Sequence, residues 1–161
     1  MKYLLLIIML FFVFSCDSEK ITGKATACGG SFDESLNIKT NNLNEEENIC
    51  FNTLKWKYNK EKKKVTFIDE KAPFNCCGTR GITAFEDGDL YVLKETERDG
   101  YCDCTCSYSF LIEIPNLNEE TINVELRRQA NKSDTVTILK TAVDLSEGEG
   151  SVTIREVRCS D

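Results

Sequence analysis

The sequence contains no histidine. That absence excludes Ser-His-Asp and Cys-His nucleophile arrangements, the HExxH metalloprotease site, mixed Cys/His zinc sites and CxxCH haem attachment, all of which need an imidazole to move a proton or hold a metal. Positive charge is also short: 20 Lys and Arg stand against 27 Asp and Glu in 161 residues, a net charge of −7. Such a balance cannot neutralise a run of phosphates, so nucleic acid is not an expected partner. Nor does the chain hold an apolar run long enough to span a bilayer. The run Tyr3 to Phe14 has 12 residues, and a membrane-crossing helix needs roughly 20.

Short apolar runs behind a positive residue, here Lys2, are the pattern of an export signal. The stretch Val13-Phe14-Ser15-Cys16 that follows resembles the bacterial lipobox, with an aliphatic residue at −3, a small one at −1, and then the cysteine that is acylated and becomes the new N-terminus. This reading makes residues 1–15 a lipoprotein signal peptide and Cys16 the lipidation site. Residues 16–27 become the acylated cysteine with a flexible polar tether, and 28–161 a single cysteine-rich domain. Two or three acyl chains, palmitate among them, hold a protein on a membrane essentially permanently, whereas one chain does so only marginally. The alternative, an ordinary secretory signal cut after Ala25-Thr26-Ala27, places cleavage 13 residues past the apolar run, farther than such sites normally lie.

Removing Cys16 from the nine cysteines leaves eight: Cys28, Cys50, Cys76, Cys77, Cys102, Cys104, Cys106 and Cys159. An even remainder in an exported chain is what a disulfide framework requires. Cys102, Cys104 and Cys106 alternate, so on a strand they share one face with Cα atoms about 6.5 to 7 Å apart, at or beyond the reach of a disulfide. Each is expected to bond elsewhere. The neighbours Cys76 and Cys77 point to opposite faces of extended chain, and at least one of them should cross to the Cys102–Cys106 segment. The pairing itself stays open. A competing reading of Cys76, Cys77, Cys102, Cys104 and Cys106 is a thiolate site for Cu(I) or Zn(II), because CC and CxCxC are spacings used by sulfur-only metal clusters. Against it, the CxxC pair of zinc ribbons is missing, and thiolates in oxidising compartments are lost to oxidation.

Period-two alternation dominates the rest. Cys50, Asn52, Leu54, Trp56 and Tyr58 share a face, followed by a basic turn at Asn59 to Lys63 and a return strand near Val65 to Ile68. Ile82 to Phe85 and Leu90 to Leu93 flank Asp87-Gly88, a pair suited to a tight hairpin turn. Cys102 to Ile114 alternates most cleanly and stops at Pro115, which has no N–H to donate. Ile122, Val124 and Leu126 form another inward face, with Val136 to Val143 and Ser151 to Val157 completing the set around Gly148 and Gly150. The expected fold is an all-β antiparallel sandwich stapled by disulfides. Its nearest analogy is immunoglobulin-like, although Ile122 stands where the tyrosine corner would be.

Phe74-Asn75-Cys76-Cys77 and Cys102-Asp103-Cys104-Thr105-Cys106-Ser107-Tyr108, leading into Ile114-Pro115-Asn116-Leu117, resemble a group of uncharacterised bacterial lipoproteins across about 65–126. The resemblance implies a small exported domain and carries no activity with it. The functional expectation is a non-catalytic binding or structural module, anchored to a bacterial membrane on its periplasmic face or at the cell surface. It needs no cofactor and would meet an envelope protein or ligand. A hydrolase using two acids such as Glu86, Asp87 or Asp89, or a calcium site at Asp87 and Asp89, is a weaker reading, since Asp87 is accounted for by its turn and the remaining ligands of an EF-hand loop are missing.

Overall fold

The computed structural model describes residues 20–32 and 50–156. The signal peptide, Cys16, Cys159, the run Glu45-Glu46-Glu47 and the side chain of Cys50 lie outside the described residues. Ten strands follow one another: β1 (Ile21–Thr22), β2 (Lys24–Ala25), β3 (Cys50–Asn59), β4 (Lys64–Asn75), β5 (Thr79–Asp87), β6 (Leu90–Arg98), β7 (Thr105–Ile114), β8 (Thr121–Ala130), β9 (Val136–Asp144) and β10 (Glu149–Glu156). They form two sheets, ordered β1-β5-β6-β8-β9 and β10-β3-β4-β7-β2. Ile82, Leu93, Val124 and Leu126 of the first sheet share one apolar cluster with Leu54, Phe67, Phe110 and Ile112 of the second. The fold is therefore the all-β sandwich that the alternation predicts.

β7 shows how the pattern becomes structure. Tyr108, Phe110, Ile112 and Ile114 point inward and are almost fully buried. Ser109 points outward yet is also buried, because the chain after β2 folds over it: Ser109 N–H donates to Thr26 Oγ1 at 3.0 Å and Ser109 Oγ to the Gly30 carbonyl at 3.2 Å. All strand pairings among the described residues are antiparallel except β6 with β8, which run parallel from Leu90↔Asn123 to Glu97↔Ala130. A parallel pair needs a long crossover, and β7, paired in the opposite sheet, supplies it.

Two expectations are corrected. β7 begins at Thr105, so Cys102 and Cys104 precede the strand and sit in the bend that leads into it. The stretch assigned to a flexible tether belongs to the body from Ile21 onward: β1 pairs with β5 and β2 with β7. Gly23 crosses between the sheets so closely that a Cβ there would meet the Leu111 carbonyl at 2.2 Å. Strands of two residues leave no periodicity to read in a sequence.

The sandwich has two distinct poles. At one, Leu117 N–H donates to the Lys63 carbonyl at 2.9 Å, Leu145 N–H to Glu120 at 2.7 Å and Tyr58 N–H to Gly148 at 2.7 Å, drawing together the β3–β4, β7–β8 and β9–β10 connections. The β5–β6 turn lies at the same end, since β6 starts level with the start of β8. The register Ile21↔Ala84, Thr22↔Thr83 sets Lys20 on the side of β1 that faces this pole. The cysteine motifs occupy the other.

Candidate functional site

Three disulfides close at or near the second pole: Cys76–Cys104, Cys77–Cys102 and Cys28–Cys106, with Cα separations of 5.6, 6.0 and 5.7 Å. Both members of the vicinal pair cross to the segment after β6, and Cys102, Cys104 and Cys106 each bond elsewhere, as their spacing requires. In the chain-entropy model each link stabilises the fold by about 3 to 5 kcal/mol. Such bonds belong to an oxidising, exported location. No helix of the described residues is long and apolar enough to cross a membrane.

The corner holding Cys76, Cys77, Cys102 and Cys104 is built by polar side chains as much as by sulfur. Asn75 Nδ2 donates to the Cys102 carbonyl, and Asn75 Oδ1 accepts the Cys77 N–H at 3.0 Å. The Arg80 guanidinium donates to the carbonyls of Asn75 and Cys77, and to that of Gly78 at 3.0 Å. It also lies 4.0 Å over the ring of Tyr108, whose hydroxyl donates to the Cys76 carbonyl at 3.4 Å. The FNCC segment and the tyrosine of CxCxCxY are thus joined through one arginine. Gly78 turns the chain at φ 85°, where a Cβ would meet the Arg98 carbonyl at 2.3 Å, so glycine is required. Glu97 lies beneath, its Oε1 3.9 Å from Arg80 Nη2; burial pushes its carboxyl pKa up against the pull of Arg80 and the Asn75 backbone. Cys77 and Cys102 are half-buried, Cys104 is exposed, and the neighbouring Tyr101 is 71% exposed.

A second polar cluster lies inside the sandwich. Asp69 and Glu95 are fully buried, Asn52 nearly so, and Arg128 is 8% exposed. Arg128 Nε donates to Glu95 Oε2 at 2.8 Å and Nη2 to Asp69 Oδ2 at 3.4 Å. Asn52 Nδ2 donates to both Asp69 oxygens, at 2.8 and 3.0 Å. Two carboxyls thus share one guanidinium. Burial, the Glu95 charge and a hydrogen bond between the two carboxyls raise the pKa of Asp69 well above its ordinary value. Glu95 Oε1 has no donor among fixed hydrogens, and a proton held between the pair would supply one. No solvent reaches the pair, so it pins the two sheets together rather than presenting a reactive group.

Among the described residues, one group comes close enough to share a cation: the Sγ atoms of Cys77, Cys102 and Cys104, all within 4.8 Å of one another. Of the five cysteines of the thiolate reading, Cys76 and Cys106 lie outside this group, Cys106 being bonded to Cys28 on a separate link. Glu86, Asp87 and Asp89 sit exposed at the β5–β6 turn, with Asp87 Oδ2 3.4 Å from Arg127 Nη2. Reasoning from sequence missed Asp69, Glu95 and Arg128 altogether, and gave Asn75 and Arg80 no role. Asn75 alone carried a signal, by its place inside the FNCC motif. No protein-family model, no curated protein and no solved structure matches this chain.

Proposed function

We propose that this chain is an exported, non-catalytic module of a bacterial cell envelope, anchored through acyl chains on Cys16 and presenting its disulfide pole to an envelope protein or ligand. The observation that carries the reading is the direction of the N-terminus. Lys20 leads away toward the pole opposite Cys76, Cys77, Cys102 and Cys104. Cys16 lies only four residues before it, a reach of at most about 14 Å. A lipid at Cys16 therefore keeps the pole of turns next to the bilayer. A strand such as β7, of 10 residues, spans roughly 33 Å, so the disulfide corner stands on the order of 30 Å or more above the headgroups.

Binding is favoured over catalysis by where the acids lie. Asp69 and Glu95 form a carboxyl pair at hydrogen-bonding distance, and both are sealed in the core. Among the exposed acids of the β5–β6 turn, Asp87 has Arg127 as a partner instead.

Intact mass of the native protein extracted from membranes tests the anchor and the staples together. The expected mass carries acyl chains on an N-terminal Cys16 and lacks the eight hydrogens lost in forming four disulfides. Unacylated protein with titratable thiols in a reducing compartment would overturn the reading.

A further inference from the structure

We infer that the disulfide pole is a redox-gated zinc site: when Cys76–Cys104 and Cys77–Cys102 are reduced, their four sulfurs are placed to hold one Zn(II), and when both are closed they hold none. This inference does not depend on the lipid anchor.

Sulfur spacing is the first support. Four thiolates around a tetrahedral zinc, with bonds of about 2.3 Å, lie about 3.8 Å apart. Here Sγ of Cys102 and Sγ of Cys104 are 3.4 Å apart, Cys77 completes a trio within 4.8 Å, and Cys76 is bonded to Cys104. Cys76 lies outside that trio and is tied to it only through its bond to Cys104, so the fourth ligand is supplied once that bond is opened and the Cys76 side chain turns toward the other three sulfurs.

The second support is that the corner is held without its disulfides. Arg80 grips the carbonyls of Asn75, Cys77 and Gly78, Asn75 ties Cys77 to Cys102, and Cys76 N–H donates to the Cys104 carbonyl at 3.0 Å. The ladder of β4 with β7 continues directly below, at Asn75↔Thr105. Sγ of Cys102 also lies 2.8 Å from Asn75 Oδ1, an acceptor that a reduced Cys102 thiol can donate to and that a disulfide sulfur, having no proton, cannot. Zinc held by four thiolates carries a net charge of −2, and the Arg80 guanidinium beside it offsets part of that charge.

The chemistry balances. Two dithiols of an exported CxxC-type reductase supply four electrons and four protons to the two disulfides, becoming two disulfides themselves. Zn(II) then displaces four protons from the four thiols.

The test uses the full protein reduced anaerobically with a phosphine, titrated with Zn(II) and, as a spectroscopic stand-in, Cd(II). One equivalent is expected to bind, with thiolate-to-cadmium absorption and an unchanged strand signal by far-ultraviolet circular dichroism, while the oxidised protein takes up none. Cys77→Ser should weaken binding at least 10-fold, and the double variant Cys28→Ser/Cys106→Ser should keep the one-equivalent stoichiometry. Reduced protein that keeps its strands and takes no metal overturns the inference. So does uptake indifferent to Cys77→Ser, uptake lost with Cys28 and Cys106, or loss of the strands on reduction, since the site requires a corner that stands without its disulfides.

Discussion

The carboxyl of Asp69 on β4 is hydrogen-bonded to the carboxyl of Glu95 on β6, so that two acids from opposite sheets meet in the interior over a single guanidinium, Arg128. Folding therefore takes up a proton, because Asp69 titrates well above its ordinary value of 3.8. The stabilisation from this pair is complete below about pH 4 and is lost as pH rises through the folded value. Asp69→Asn keeps the shape and the neutrality without the titration. Its urea midpoint should gain on wild type as pH rises above the ordinary carboxylate value and level off once the folded value is passed. Curves that run parallel would show that the pair does not share a proton.

Arg128 carries the only cation in this cluster, and its guanidinium also lies 5.0 Å over the Phe74 ring. Arg128→Met leaves two buried acids without it and should cost about 3 to 5 kcal/mol. Adding Asp69→Asn and Glu95→Gln to that variant should recover a large part of the loss by urea unfolding. A loss below about 1 kcal/mol would mean that water enters the cluster.

Glu125 behaves in the opposite sense. Arg127, at 2.9 and 3.1 Å, and the Thr137 hydroxyl, at 2.6 Å, hold its carboxyl down to about 2. Its contribution is present above the ordinary carboxylate value and is lost as pH falls toward the folded one. Glu125→Gln should cost no more than about 1 kcal/mol at neutral pH, because the Arg127 partner stays partly exposed to solvent. The difference from wild type should vanish in acid, and a cost that persists there would point to packing instead.

Three links take six of the nine cysteines, and with Cys16 acylated as proposed, Cys50 and Cys159 remain. The β10–β3 register sets Glu156 opposite Cys50, three residues before Cys159. Non-reducing peptide mapping should recover a Cys50–Cys159 peptide beside Cys28–Cys106, Cys76–Cys104 and Cys77–Cys102. A mixed peptide joining Cys50 to Cys76 or Cys77 would refute the arrangement.

Much of the sandwich was legible because apolar alternation is a direct record of which face is buried. Phe110, Ile112, Val124 and Leu126 all lie where that pattern put them. The Asp87-Gly88 turn is also where it was expected, with Gly88 at φ 67°. The candidate site was legible only in its sulfur. Asp69, Glu95 and Arg128 sit among Glu70, Lys71, Lys94, Glu97 and Arg127, and a charged residue in such company reads as solvent-facing. Their burial depends on partners 33 and 59 residues distant, and a periodicity within one strand contains no such information. The bulge between Asp69 and Ala72 adds a second obstacle, since it shifts the alternation midway along β4.

Cys28–Cys106 joins the chain just after β2 to β7, the inner neighbour of that edge strand in the second sheet, bridging 78 residues. Among the described residues, a mechanical load applied at Lys20 meets two short strands before it reaches that covalent stop. β1 and β2 can peel like the first teeth of a zipper, but the tear ends at Cys28, and force passes from there into β7 and the middle of the body. A molecule hauled about by its leading end would lose a few edge residues and keep its interior closed.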